Sequence, residues 1–224
     1  PYKPKRRTRA TVARERGLEP LAQLILQQVR TAEPLDTLAA PYLSEQVPTA
    51  EEAWAGARDI VAEVMSEDAN VRGEIRERTR STGLIRSQRA NEEADAEGVY
   101  RLYYDLRAPF AGLAPHQILA MNRGEREGAL KVSLTADADR LTGEIKARYY
   151  RPNPRSPLAN HMEMAVADGY ERLLAPAIER ELRRGATENA DRHAIAVFAA
   201  NLRQLLLQPP LRGKTVVGID PGYR

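Results

Sequence analysis

The sequence predicts a mainly α protein: a multi-helix bundle with a small antiparallel β-ribbon and one truncated strand at the C-terminal end. Apolar residues recur three and four positions apart along most of the chain, as they do on the buried faces of packed helices. Aromatic residues make up only 5% of the chain, while Ala, Leu, Arg and Glu are abundant. Only two short segments alternate apolar and polar residues, so the sheet is expected to be small.

Length and composition narrow the class of protein. The chain has 224 residues and no cysteine, so it can bury a proper core and has neither disulfides nor a thiolate metal site. Charged residues make up 29% of it, and no apolar stretch reaches the length of a membrane span. We therefore expect a cytoplasmic protein with no membrane partner; its oligomeric state is left open.

Four segments are predicted along the chain. Residues 1–48 form a basic N-terminal helical segment, and residues 49–150 form a helical subdomain with a two-stranded ribbon. Residues 157–210 form a long antiparallel helix pair, and residues 214–224 begin a further, truncated domain. Because Pro1 is not an initiator methionine and the final strand has no neighbours after it, both ends are expected to be cuts in a longer protein.

Helix signals dominate the first third of the chain. A stripe from Leu18 to Val29 predicts one helix that fades before Pro34. Thr49 and Glu52 have the spacing of a capping box for a second helix, whose buried stripe includes Trp54. Ser66 is predicted to cap a third helix, which ends at Gly83.

The middle of the chain mixes helices with the two strands of the ribbon. Residues 84–88 and 129–134 are predicted to pair, and a helix is expected over 99–106 between them. Another helix is predicted from His116 to Arg123, ending at Gly124, and Thr135 is expected to cap the helix that follows. Residues 151–157 contain three prolines and must form a loop.

Two strong helical patterns follow that loop. The first runs from Met162 to Leu182, with a kink expected at Pro176 and a stop at Gly185. The second ends at two consecutive prolines, residues 209 and 210. The short connection between the patterns predicts that the two helices pack antiparallel.

Positive charge is concentrated at the N-terminal end, within residues 1–17. Residues 1–17 contain seven Lys or Arg residues and one Glu, a net charge of +6. The chain as a whole has a formal net charge of +3, so the remaining residues have a net charge of −3. Such a cluster favours contact with a polyanion, because each neutralised phosphate releases condensed counterions. The alternative is a solvated arm that merely keeps the chain soluble. The candidate nucleic-acid-binding residues are Lys3, Lys5, Arg6, Arg7, Arg9, Arg14 and Arg16.

Asp220 is the residue with the sharpest chemical interpretation. It ends an apolar strand pattern over residues 215–220, where RNase H-like nucleases place their first metal-binding carboxylate. The alternative is an ordinary Asp-Pro-Gly turn. One carboxylate cannot hold a catalytic metal pair, and the strand is expected to be frayed or paired at a sheet edge.

The other residue types with catalytic potential lack a catalytic context. His116, His161 and His193 are too widely spaced in the sequence for a metal site, so surface or capping roles are expected. No serine has the context of a nucleophile elbow, and no glycine loop could cradle a phosphate group. We therefore predict no catalytic residue, no cofactor and no metal, with Asp220 as a metal ligand only under the nuclease alternative.

Several stretches, in order, resemble the Tex family of bacterial transcription accessory proteins. The resemblance is carried by residues 1–11 and 17–22, the segments ARDIVAE and SED at 57–63 and 66–68, residues 115–130, and residues 195–224. It covers nearly the whole chain, and the first and last stretches are the most specific. The chain departs from the family pattern at residues 115–117, where Pro-His-Gln replaces Ser-His-Arg, and at His193, which replaces an acid.

The resemblance implies the setting of this segment. Tex-like proteins combine an N-terminal helical region, a YqgF domain of RNase H-like fold, helix-hairpin-helix motifs and an OB-type RNA-binding domain. The chain would then be the central helical portion, with residues 214–224 as the first strand of the YqgF domain, which in this family lacks a full set of nuclease carboxylates. The expected function is that of a non-enzymatic scaffold that binds RNA or DNA largely independently of sequence, with transcription machinery as a further partner.

Two alternatives to this function stay open. In the first, the segment belongs to a metal-dependent RNase H-like nuclease or resolvase that uses Asp220. In the second, it is a helical protein-interaction module, with a groove between the two helices of residues 158–208 as its docking surface.

Overall fold

The computed structural model describes residues 7–209, 212–220 and 222. Helices form most of this part of the chain, and three strands form one sheet. The mainly α fold class with a small sheet is therefore confirmed. In chain order the elements are α1 (Arg9–Glu15), α2 (Glu19–Gln27), α3 (Leu35–Ala39), α4 (Ala50–Glu67), α5 (Ala69–Thr82), β1 (Leu84–Arg89), β2 (Asp105–Pro109), α6 (Pro115–Arg126), β3 (Leu130–Thr135), α7 (Ala138–Arg148), α8 (Ala159–Asp168) and α9 (Ala175–Leu206).

Helix α4 lies at the centre of the bundle, in contact with α1, α2, α3, α5 and α8. The Thr49 side chain accepts a hydrogen bond from the Glu52 N–H at 3.2 Å, which confirms the predicted start of the helix. Trp54 is also buried as predicted, and its indole N–H donates to the Leu35 carbonyl at 3.2 Å. One continuous hydrophobic core extends from Ala10 to Leu182.

The helix predicted from the apolar stripe between Leu18 and Val29 is shorter in the structure. Helix α2 covers only Glu19–Gln27, and a separate short helix, α1, precedes it. Gly17 joins the two with a φ of +77°, a conformation that suits a residue without a side chain.

Two predicted helix caps are each displaced by two residues. Asp68, rather than Ser66, caps α5 and accepts the N–H of Asn70 at 2.8 Å. Asp137, rather than Thr135, caps α7 and accepts the N–H of Arg140 at 3.0 Å. In both cases a carboxylate at the helix N-terminus also complements the helix dipole, which a hydroxyl does not.

The sheet has three antiparallel strands in the order β2-β1-β3. The predicted pairing of residues 84–88 with 129–134 is confirmed, with Ile85 opposite Leu134. The predicted helix over 99–106 is wrong, because only Arg101–Tyr103 form a helical turn and Asp105–Pro109 form an edge strand. The Asp95 carboxylate accepts the N–H groups of Val99 and Tyr100, both at 2.8 Å, so these amides are bound to a side chain rather than to a helix.

Helix α6 is longer than predicted. It runs from Pro115 to Arg126 and passes through Gly124, which had been expected to end it. A Cβ at Gly124 would lie 2.7 Å from a methyl carbon of Leu130. This glycine therefore serves the close packing of α6 on β3 rather than the end of the helix.

The predicted antiparallel helix pair over 157–210 is wrong. Helix α9 continues through Gly185 without a break, and it follows α8 through a π-helical turn at Gly169–Leu174. Pro176 lies just after that turn, where the Ala175 N–H bonds to the Tyr170 carbonyl, five residues back. Proline cannot donate a backbone hydrogen bond, and the wider π turn absorbs this disruption while the rod continues.

The segment after α9 carries no regular structure where it is described. Residues 214–220 are exposed and unpaired, so the predicted C-terminal strand is not formed there. Across the described part of the chain, no helix combines the length and hydrophobicity needed to cross a membrane.

Candidate nucleic-acid interface

The predicted basic cluster is centred on α1, and small residues fix this helix against α4. Thr8 caps it by accepting the Thr11 N–H at 3.0 Å, and Ala10 and Ala13 are buried in the interface with α4. A Cβ at Gly56 of α4 would clash with a methyl carbon of Leu18 and lie 3.3 Å from the Ala13 Cβ, so glycine at this position favours the close approach. The arginines of α1 are left at the surface.

Two cations of the cluster are engaged in ion pairs within the fold. Arg7 pairs with Glu15, and both side chains are largely exposed. Arg14 bridges Glu19 of α2, at 3.0 Å, and Glu63 of α4, at 2.5 Å. The hydrogen bond to Glu63 is the main cause of the raised pKa of Arg14. Arg14 therefore joins three helices, while Lys3, Lys5 and Arg6 lie outside the described residues.

Arg9 and Arg16 are in a different situation. They lie seven residues apart, on one face of the α1 segment, and both are exposed. Neither forms a salt bridge with any residue that the structure describes. They line a cleft of about 370 Å³ between α1 and α4, which also holds Glu52 and Asp59.

The side chains that line this cleft carry charges of both signs. Burial raises the pKa of Asp59, while the nearby Arg172 and Arg9 act to lower it. The Arg172 guanidinium donates to an Asp59 carboxylate oxygen at 2.7 Å and also holds Asp168. Arg172 is thus shared by two carboxylates, and Arg9 and Arg16 lie near Asp59 and Glu52 without forming a salt bridge with either.

Asp220 has the geometry of a turn former. It is exposed, and its Oδ1 accepts the Gly222 N–H at 2.9 Å, as in an Asx turn. Among the residues described, no three His, Asp or Glu side chains lie close enough together to hold a metal ion.

The three histidines divide into two groups. His161 is buried, so the predicted surface or capping role is wrong for it: its Nδ1 lies 3.0 Å from an Arg58 nitrogen and its ring packs on Trp54 at 4.9 Å. Burial first, and Arg58 second, lower the pKa of His161, which favours a neutral ring. His116 and His193 both line a cleft between α6 and α9, a proximity across helices that the sequence did not indicate.

The predicted groove between two antiparallel helices does not exist, because α9 is one helix. Its C-terminal half instead exposes a row of large apolar side chains. Phe198 is 68% exposed, and Ile195 and Leu205 are each more than 60% exposed.

The sequence analysis also missed two arginines on the sheet. Arg86 of β1 and Arg107 of β2 lie directly opposite each other. The alternation in the segment DLRAP is the signal for β2, but the predicted helix over 99–106 covers the first two residues of this strand. Arg107 therefore had no predicted neighbour.

Comparison with known proteins gives a consistent result. A family model described as Tex central region-like matches residues 30–198 of the chain. The chain is 43% identical to the uncharacterized protein YdcI of Bacillus subtilis, and 38% identical to Protein tex of Bordetella pertussis. It is 29% identical to human S1 RNA-binding domain-containing protein 1.

These relatives are much longer than the chain. Each alignment includes 100% of the chain but only 31%, 30% and 24% of the respective relative. The chain therefore spans less than a third of the length of these proteins.

Proposed function

Since the chain belongs to the Tex family, we propose that it is a nucleic-acid-binding scaffold segment of a transcription accessory protein, with no catalysis of its own. The names of two relatives support this proposal: Transcriptional accessory protein Tex of Neisseria gonorrhoeae, which is 36% identical over 100% of the chain and 30% of the relative, and the human protein with an S1 RNA-binding domain. Neither name specifies which residues contact nucleic acid.

The observation that supports a contact surface at α1 is the difference among its arginines. Arg7 and Arg14 are matched by carboxylates within the fold, whereas Arg9 and Arg16 are exposed and form no salt bridge with a described residue. Arginine pairs well with phosphate, because its planar guanidinium can donate two hydrogen bonds at once. In this proposal Arg9 and Arg16 contact the phosphate backbone, while Arg14 holds α1 in position.

Salt dependence of binding tests this assignment. With some four to six phosphate contacts, the log–log slope of affinity against salt should be about −3 to −5 for the unaltered chain. The double variant Arg9→Gln/Arg16→Gln should flatten that slope by about 1.5, since each lost contact removes about 0.7 to 0.9. Fluorescence anisotropy with labelled single-stranded RNA and duplex DNA, between 50 and about 300 mM salt, measures it.

A matched control separates local contact from net charge. Arg184→Gln/Arg192→Gln removes two charges from α9, where Arg184 is exposed and 3.8 Å from Glu188, and Arg192 bonds to Asn189. We expect this control to keep the original slope. A slope that Arg9→Gln/Arg16→Gln leaves unaltered, or that both variants flatten equally, would reject α1 as the contact surface.

A further inference from the structure

The three-stranded sheet has one face on the core and one face in solvent. The inner face carries Ile85, Val132 and Leu134, all buried. The strand register assigns the alternate residues to the opposite side, which we call the outer face. The outer face is formed by Leu84, Arg86, Gln88, Asp105, Arg107, Pro109, Lys131, Ser133 and Thr135.

Positive charge is gathered on this face in an unfavourable arrangement. Arg86 and Arg107 lie directly opposite each other on adjacent strands, and like charges in that position destabilise a sheet. Lys131 lies on the other side of Arg86, diagonal to it in the register with β3. All three side chains are exposed, and the two outermost positions, Arg107 and Lys131, are about 12 Å apart, two strand spacings across and two residues along the sheet.

These cations lack the carboxylate partners that other arginines of the chain have. Arg78 pairs with Glu144, and Arg183 pairs with Glu125. By contrast, no salt bridge joins Arg86, Arg107 or Lys131 to any residue in the described part of the chain. The outer face does contain one carboxylate, Asp105, but it lies opposite Gln88 rather than opposite either arginine.

A neighbouring arginine shows that the sheet can neutralise its cations. Arg89, at the end of β1, pairs with Glu92 at 3.1 Å, and its guanidinium stacks on the Tyr104 ring at 4.7 Å. Arg86 and Arg107 have no such partner, so their mutual repulsion is unrelieved within the described structure. An anion lying across the two strands would relieve it.

We infer that the outer face is a second nucleic-acid contact surface, on which Arg86, Arg107 and Lys131 bind the phosphate groups of a sugar–phosphate backbone. Two guanidinium groups side by side can hold phosphate oxygens through paired hydrogen bonds, and Lys131 adds a point charge. No aromatic side chain lies on this face, so it offers no platform for stacking bases. Binding there should be independent of base sequence.

This inference rests on the proposed function for the class of partner, since both surfaces would contact nucleic acid. It does not depend on Arg9 or Arg16. Phosphate is common to RNA, DNA and anionic lipid headgroups, so the test includes all three probes. We assign the surface to nucleic acid because its cations form a compact cluster on adjacent strands, with only Leu84 and Pro109 as apolar neighbours on the face.

The test uses the 224-residue chain with the double variant Arg86→Gln/Arg107→Gln. Its affinity for a labelled oligonucleotide should fall about 30-fold at 0.1 M salt, with a slope reduced by about 1.5, because two phosphate contacts are lost. Its melting temperature should stay the same or rise, since the opposed charges are removed. Arg86→Lys/Arg107→Lys keeps the charge and should retain most of the salt dependence, and Arg184→Gln/Arg192→Gln serves as the charge-matched control.

The outcomes distinguish this inference from the proposed function. Weakened binding in Arg86→Gln/Arg107→Gln but not in Arg9→Gln/Arg16→Gln supports the outer face and rejects α1. The reverse result overturns the outer face and leaves α1 standing. Equal weakening in the α9 control, or no oligonucleotide binding by the unaltered chain, overturns both. Loss of phosphatidylserine-vesicle binding in Arg86→Gln/Arg107→Gln, with oligonucleotide binding unchanged, overturns the assignment to nucleic acid.

Discussion

Replacing Gly169 with alanine should lower the free energy of unfolding by about 2 kcal/mol, within the range for overpacked cores. Gly169 begins the π turn and lies against α4. A Cβ there would be 2.6 Å from the Met65 methyl group and 3.1 Å from both the Cα and the carbonyl oxygen of Ala62. Met65 is fully buried, so its methyl group has little room to move, and the Ala62 backbone can yield only if the π turn and α4 separate.

Urea unfolding followed by circular dichroism measures this loss, and a second glycine provides the control. Gly143 also lies inside a helix, α7, but a Cβ there would meet nothing within 4 Å. Gly143→Ala should therefore gain about 0.5–1 kcal/mol, because alanine is the better helix former. Equal effects of the two substitutions would show that helix propensity, rather than the contact with α4, determines the result at Gly169.

Replacing Arg172 with methionine should cost about 2 kcal/mol of stability at pH 7. Arg172 lies between two carboxylates, with 2.7 Å to Asp59 and 3.0 Å to Asp168. Its removal leaves these two like charges close together and half-buried. Fully buried pairs lose 3–5 kcal/mol when one partner is removed, and we expect less because Arg172 and Asp59 are 27% and 23% exposed.

The loss at Arg172 should depend on pH. Burial already raises the folded-state pKa of Asp59, and Arg172 is the strongest influence lowering it. Without Arg172 that pKa rises further, so the loss of stability grows as the pH rises above the unfolded-state pKa of Asp59 and is complete above its folded-state pKa. This cost disappears below the pKa of the unfolded state, about 3.9.

Unfolding titrations at pH 7 and at about pH 4 give the comparison for Arg172→Met. The loss should shrink at the lower pH, and adding Asp59→Asn should recover most of it at pH 7, since one of the two carboxylates is then neutral. A loss that is the same at both pH values, with no recovery in the double variant, would contradict the electrostatic origin.

Features determined by nearby residues could be predicted from the sequence. The Thr49 cap and the buried stripe of α4 depend on residues within a few turns, and both are confirmed. The β1–β3 pairing was also accessible, because each strand alternates apolar and polar residues with one face buried.

Features that depend on distant contacts could not be predicted in this way. Gly185 has the local signature of a helix stop, yet α9 passes through it while Ile178, Leu182 and Ala190 around it are buried by distant parts of the chain. One of the two partners of Arg14, Glu63, is 49 residues away, so the sequence alone could not separate this structural arginine from Arg9 and Arg16. Arg86 and Arg107 likewise could not be predicted to lie opposite each other, because this depends on the register of β2 against β1.

The joint between α8 and α9 has a mechanical consequence. Helix α9 has 32 residues, so it is about 48 Å long at 1.5 Å per residue. Ile178, Leu182 and Ala190 are buried against the bundle, and the residues of the helix beyond Ala190 are exposed. A change of about 20° at the π turn, the size of an ordinary helix kink, would swing the far tip by about 16 Å. Small rearrangements beside Pro176 would thus be magnified into large displacements of anything attached to that tip.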